Sequence, residues 1–299
     1  MTESVAVCAD GTRLAVTVQG SGPALLFLHE VAGDQRDWAA QVDRFADRYT
    51  CVRYNARGYP PSDVPTDPAR YGQDIAVTDA LAVLDHLDIE AAHLVGLSMG
   101  GFCALHLAMS HPTRCLSVTV AGAGYGSAPH QRDGFAAEAR AAADLFRRDA
   151  GAAALAYRDG PTRLQLKRKN PEAWHRFGTR LAGHDPVGMS LTFARVLARR
   201  PSLYDLREPL SRVAVPVLLV VGDEDDGCLD VNLMLKRIMP TAALCVLPRT
   251  GHTINIEEPA AFNDALAAFL GSVGRGEWQP RDPGTLGRGL VGMTPGGET

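Results

Sequence analysis

His93-Leu94-Val95-Gly96-Leu97-Ser98-Met99-Gly100-Gly101 is an apolar run that breaks at a Gly-x-Ser-x-Gly step and passes at once into a helix-like pattern over residues 102–109. Read physically, it is a strand, a tight turn and a helix, with a serine at the tip of the turn. Gly96 and Gly100 leave room that a β-carbon would fill, so the Ser98 oxygen stands clear of the sheet as a candidate nucleophile. The turn also aims the first amides of the helix, that of Met99 among them, at whatever the serine attacks, where the helix dipole favours negative charge. Gly-x-Ser-x-Gly is short enough to arise by chance in a glycine-rich chain, so its weight comes from the strand before it and the helix after it.

Outward from that step, strand and helix alternate. Residues 5–9 and 13–19 flank Asp10-Gly11-Thr12 as an opening hairpin, and 24–29 is a continuous apolar run that ends at His29-Glu30-Val31-Ala32-Gly33-Asp34. Residues 37–48 carry Trp38, Val42 and Phe45 at helical spacing, 50–54 form the next strand, and 72–88 place Val77, Leu81, Leu84 and Leu87 on one helical face. This rhythm predicts an α/β fold with a mostly parallel central sheet flanked by helices on both faces.

After a strand at 117–121 the rhythm stops. Residues 122–212 are rich in alanine and arginine, helical in pattern at 135–148, 163–169, 171–181 and 187–199, and without a convincing strand. They read as an inserted helical cap, with Leu145, Phe146, Trp174, Phe177, Met189 and Phe193 as candidates to face a pocket, although each also reads as packing among the helices themselves. Arg158, Arg163, Arg168, Arg176 and Arg195 are candidates to receive a substrate carboxylate, or else line a solvated helix face. A strand at 215–221, a helix at 229–239, a strand at 243–247 and a helix at 259–270 then resume the alternation. From Gly271 on, glycine and proline predict a tail without regular elements, partly disordered, with Trp278 docked on the body. The expected division is therefore 1–123 and 213–271 for the α/β core, 124–212 for the cap and 272–299 for the tail.

Composition narrows the partners. A chain of 299 residues, 46% hydrophobic and 21% charged, can bury a large core, and a formal net charge of −4 offers no footprint for nucleic acid. The partner expected is a small-molecule substrate. The start Met1-Thr2-Glu3-Ser4 carries no leader pattern, and no apolar run approaches the ~20 residues that span a bilayer, so the reading is cytoplasmic with no membrane partner. Cys8, Cys51, Cys103, Cys115, Cys228 and Cys245 lie scattered in apolar runs without metal-ligand spacing, which predicts reduced buried thiols and no metal. Oligomeric state leaves no signature.

A serine hydroxyl needs a base to take its proton, and the base needs an oriented acidic partner. His252 sits in a short loop after the last strand, at the edge where the serine turn emerges; His29 is comparably placed but ends a strand, and His86, His93, His106 and His111 fall within elements. The acid should follow the strand between the cap and His252, where Gly222-Asp223-Glu224-Asp225-Asp226 stands. In a Gly-x-x-Asp strand end the acid is Asp225, with Asp223 and Asp226 left to solvent or to the turn.

With these residues in place, the chain resembles the capped α/β-hydrolases of the esterase, lactonase and C–C-hydrolase kind from about Val5 to Leu270. The resemblance rests on Gly96-Leu97-Ser98-Met99-Gly100, Gly222-Asp223-Glu224-Asp225, Gly251-His252 and the loop Arg57-Gly58-Tyr59-Pro60-Pro61-Ser62-Asp63, which is similar to the family's Arg-Gly-x-Gly-x-Ser-Asp. It implies the chain order Ser98, Asp225, His252 and an oxyanion hole formed by the amides of Met99 and Val31. The family's His-Gly-x is here His29-Glu30-Val31. Glu30 then either turns away and pairs with an arginine such as Arg57, or borders the serine and shapes the pocket's charge. The implied activity is a serine hydrolase cleaving an ester, lactone or similar activated carbonyl with no cofactor. Serine at the elbow disfavours the carboxylate-nucleophile chemistry of dehalogenases and epoxide hydrolases. The alternatives are hydrolysis of a C–C bond in a vinylogous diketone and, from another class, a non-catalytic ligand-binding protein.

Overall fold

The structure, a computed structural model, describes residues 1–285. Eight strands form one sheet in the order β1-β2-β4-β3-β5-β6-β7-β8: β1 (Thr2–Val7), β2 (Arg13–Gln19), β3 (Ala24–Leu28), β4 (Thr50–Tyr54), β5 (Ala92–Leu97), β6 (Cys115–Ala121), β7 (Val217–Gly222) and β8 (Ala242–Leu247). β2 runs antiparallel to β1 and β4, and all pairs from β4 to β8 are parallel. Every residue of β3, β5 and β7 is buried, as expected for central strands covered on both faces.

Alternation along the strands divides the core into two layers. Leu26 and Leu28 of β3 join one apolar cluster, packed by α2 (Gln73–His86) and α3 (Met99–Ser110), whereas Leu25 and Phe27 join the other with Trp38, Val42 and Phe45, the last two on α1 (Ala39–Phe45). Helices therefore cover both faces.

Between β6 and β7 the described chain is helical: α4 (Arg132–Arg148), α5 (Ala150–Arg158), α6 (Leu164–Lys169), α7 (Pro171–Ala182), α8 (Pro186–Leu191) and α9 (Arg207–Ser211). Two details depart from the sequence pattern. Residues 187–199 are not one α-helix, because the chain widens into a π-helical stretch at Thr192–Leu197 directly after α8. And α5, whose Ala150-Gly151-Ala152-Ala153-Ala154 start carries no apolar periodicity, is a further helix in this region. A third apolar cluster joins these helices to Val31, Tyr59 and Met99 of the body.

After β7 come α10 (Asp226–Ile238), β8, α11 (Ile254–Glu257) and α12 (Pro259–Gly274). The expectation of no regular element beyond Gly271 is corrected: α12 continues to Gly274 and a 3-10 turn spans Pro283–Thr285. Burial of Phe262, Leu266, Phe269 and Leu270 holds α12 against the sheet and outweighs a cost of about 1 kcal/mol for each terminal glycine. Trp278 is docked, its ring edge-on to Phe269 at 4.6 Å and its Nε1–H donating to Thr241 O at 2.8 Å. The remainder of the glycine- and proline-rich tail, including Pro295-Gly296-Gly297, lies outside the described residues.

Candidate functional site

The turn after β5 is as cramped as its sequence implies. Ser98 takes φ 52 and ψ −110, a conformation that side-chain-bearing residues seldom adopt and that the surroundings must enforce. A Cβ on Gly96 would lie 2.2 Å from Gly100 O, and one on Gly100 would lie 2.1 Å from Leu28 O, so both positions need glycine. The Ser98 carbonyl accepts from Phe102 N at 3.0 Å inside α3. In a trans peptide the N–H points opposite to the carbonyl, which turns the Met99 N–H out of the helix start.

Asp225 and His252 converge from the ends of β7 and β8. The His252 Nδ1–H donates to Asp225 Oδ2 at 2.8 Å, both side chains are buried, and the far ring nitrogen makes no hydrogen bond to a described residue. Burial by itself would push the imidazole pKa down; the charge and hydrogen bond of Asp225 outweigh it and hold the value above the ordinary 6.5. Asp223 and Asp226 are exposed, so Asp225 is the buried acid of its turn. The loop carrying His252 is tied from below by Glu257, whose carboxylate accepts from Gly251 N at 2.7 Å, Thr253 N at 3.1 Å and Thr253 Oγ1 at 2.8 Å. No sequence pattern singled out Glu257.

The loop after β3 is strapped just as firmly. His29 Nε2 accepts from Ala56 N at 3.0 Å, so its Nδ1–H donates to Glu30 O at 2.7 Å; burial holds this imidazole pKa down and favours the neutral ring. With the Glu30 carbonyl so fixed, the N–H of Val31 points the other way, and Tyr59 Oη–H holds the Val31 carbonyl at 2.5 Å. Glu30 does not pair with Arg57. Arg57 is engaged with Asp79 at 2.6 Å and 2.5 Å and with Asp10 at 2.8 Å, and Glu30 is instead ion-paired with Arg163 of the helical segment. Glu30 thus has an arginine partner, but a different one: Arg163, fully buried, reaches the loop from the helical segment, whereas Arg57 is drawn to the acid of α2.

Val31, Ser98 and His252 open onto one cavity of about 460 Å³, within the roughly 300–1,000 Å³ of small-molecule sites. Phe135, Leu145 and Phe146 of α4, Ala153 and Tyr157 of α5, and Phe193 wall it. Of the pocket candidates named from sequence, Phe193, Leu145 and Phe146 stand in this wall. Trp174, Phe177, Met189 and Glu30 do not: Trp174 packs under Arg158 and donates from Nε1 to Arg158 O at 3.0 Å, Phe177 lies beneath the Arg163 guanidinium, and Met189 is wholly buried in the same helical cluster. None of the five arginines proposed from sequence lines the cavity. Arg200, which follows the π-helical stretch, does.

Three buried side chains, Asp225, Cys228 and His252, present potential ligand atoms within 4.8 Å of one another, but two of them are already joined by the hydrogen bond just described. The six cysteines are free thiols, and those of Cys8 and Cys115 are pushed up to about 12 by burial. No helix among the described residues is long and apolar enough to cross a membrane.

The family described as alpha/beta hydrolase fold matches residues 23–259, and the chain belongs to it. A 3-oxoadipate enol-lactonase of Acinetobacter baylyi is 31% identical over 84% of this chain and 90% of its own length. A 2-hydroxy-6-oxononadienedioate/2-hydroxy-6-oxononatrienedioate hydrolase of Burkholderia vietnamiensis is 31% identical over 89% of this chain and 94% of its own. Among solved structures, a hydrolase from Pseudomonas aeruginosa superposes with a TM-score of 0.79 at 25% identity, covering 90% of this chain and 98% of that one.

Proposed function

We propose that this hydrolase cleaves an ester or lactone of a small molecule through an acyl-enzyme on Ser98. The observation that carries the reading is the His252–Asp225 pair, 2.8 Å apart, opening onto the same cavity as Ser98. His252 takes the hydroxyl proton as Ser98 attacks the carbonyl and returns it to the leaving group, and water then releases the acyl group by the same route. Asp225 fixes the tautomer and stabilises the imidazolium. The outward-facing amides of Met99 and Val31 hold the oxyanion, each such donor contributing on the order of 10²–10³ in rate. The helices between β6 and β7 serve as the cap, excluding water and setting the substrate. No cofactor or metal takes part in this scheme. Six free thiols fit a reducing cytoplasmic setting.

A fluorophosphonate probe should label wild-type protein and leave Ser98→Ala unlabelled, and Ser98→Ala should lose ester hydrolysis. Labelling of neither protein would revive the non-catalytic alternative. A second reading, C–C hydrolysis, is favoured by one observation, the similarity to the Burkholderia dienedioate hydrolase. Rapid turnover of a ring-fission diketone together with feeble p-nitrophenyl ester cleavage would select it.

A further inference from the structure

Arg200 is 4% exposed and has no carboxylate partner among the described residues. One hydrogen bond, from Nη2 to Tyr125 O at 2.7 Å, accounts for one of its five N–H donors. Its guanidinium carbon lies 3.7 Å from the Phe102 ring centroid and 4.8 Å from that of Phe135. These contacts soften the burial of a cation without neutralising it. The nearby groups are another arginine, Arg132, with Tyr157 and the neutral thiol of Cys228; burial, the leading influence, lowers the guanidinium pKa to about 9. Arg163, also buried, differs in having Glu30 as its partner.

Arg200 lines the cavity that holds Ser98 and His252, and four of its five N–H donors have no partner among the described residues. Phe102, on which the guanidinium stacks, lies four residues after Ser98 along α3, about 6 Å of helical rise. Most of the rest of the wall is apolar, and its one acid, Glu138, is exposed and engaged by Tyr125 Oη at 3.1 Å. A planar fork in an apolar chamber suits a planar anion that accepts two parallel hydrogen bonds.

We propose that Arg200 is the anchor for a carboxylate on the substrate, so that the preferred substrate is an ester or lactone with a free carboxylate remote from the scissile carbonyl, joined to it by a short apolar chain. This rests on the reading of Ser98 as nucleophile. The guanidinium takes the carboxylate as a bidentate ion pair, the apolar walls of α4 and α5 cover the chain between, and the carbonyl is left at the serine.

The test is a discrimination ratio, which does not depend on the fraction of a variant that folds. The kcat/KM for mono-p-nitrophenyl adipate, pimelate and suberate is divided by that for the methyl ester of each. In wild type the ratio should exceed about 10 for at least one chain length, and it should fall by roughly 10–100-fold in Arg200→Gln and by less in Arg200→Lys. A wild-type ratio near one at every length, or a ratio that Arg200→Gln leaves in place, overturns the proposal. If neither ester is turned over, the nucleophile assignment is at fault instead, and the anchor is then read by binding: monomethyl adipate, pimelate or suberate should raise the Tm of Ser98→Ala and not that of Ser98→Ala/Arg200→Gln. Equal shifts in the two proteins, or none in either, reject the anchor.

Discussion

Glu30 and Arg163 form a buried ion pair that joins the loop after β3 to the helical segment above it, at 2% and 0% side-chain exposure. Glu30 precedes Val31, so the pair ties the residue next to the amide proposed for the oxyanion hole to the helical segment between β6 and β7. Removing one member of a buried pair leaves an uncompensated charge, at a cost of about 3–5 kcal/mol. Glu30→Gln and Arg163→Met should each lower urea stability on that scale, and the double variant should cost at least about 1 kcal/mol less than the sum. Strict additivity would show that the pair carries no coupling.

The His252 imidazole should titrate above 6.5, because Asp225 outweighs the effect of burial. In an Asp225→Asn variant burial is the leading influence left, with the charges of Arg163 and Glu30 acting in opposite directions, and the midpoint should drop below the ordinary value. NMR titration of the ring in a Ser98→Ala background reads this directly; the same midpoint in both proteins would remove Asp225 as the cause. The sign carries to stability. A histidine whose folded pKa is raised stabilises the fold in full below the unfolded pKa of about 6.5 and loses that contribution as pH rises through the folded value.

The sheet and the elbow were legible in the sequence because their constraints are local. Gly96 and Gly100 answer to backbone atoms a few residues or one strand away, and buried strands show as unbroken apolar runs. Asp225 as the candidate acid was legible for the same reason, since it follows the end of β7 by three residues. The cavity wall was not. α5 presents Ala153 and Tyr157 to the cavity from a run of alanines with no amphipathic period, and Arg200 differs from the chain's other arginines only by what packs around it. The partner of Glu30 lies 133 residues away, a distance at which composition cannot choose among arginines. Glu257 holds backbone amides rather than side chains, so its function has no motif.

Gly188 of α8 meets Gly58 of the body so closely that a Cβ on Gly188 would lie 2.0 Å from Gly58 O, while Gly58 itself takes φ +88. This is backbone against backbone, and no side chain can swing aside. Gly188→Ala gains about 1 kcal/mol of helix propensity but forces α8 off the body, for which overpacking costs of about 1–3 kcal/mol are typical. The net expectation is a lower urea midpoint and a raised KM. A more stable variant would mean that the contact is not closed in solution.

Glu257 offers the sharpest separation of positioning from chemistry, because it touches neither Ser98 nor the cavity wall and yet binds the amides on both sides of His252. A carboxylate supplies two acceptor oxygens for the three donors. In Glu257→Gln one of those oxygens becomes an NH2 that faces an N–H, so at least one charge-assisted bond is lost and a donor is set against a donor. The imidazole is then free to tilt, and small displacements of a catalytic base cost on the order of 10²-fold in rate. The expected result is a kcat lowered by about 10–100-fold with KM little changed, and an imidazole midpoint still above 6.5 because Asp225 remains. If KM rises in step with the fall in kcat, or the midpoint collapses, the loop has come apart as a whole and Glu257 is a support for the fold rather than for the base.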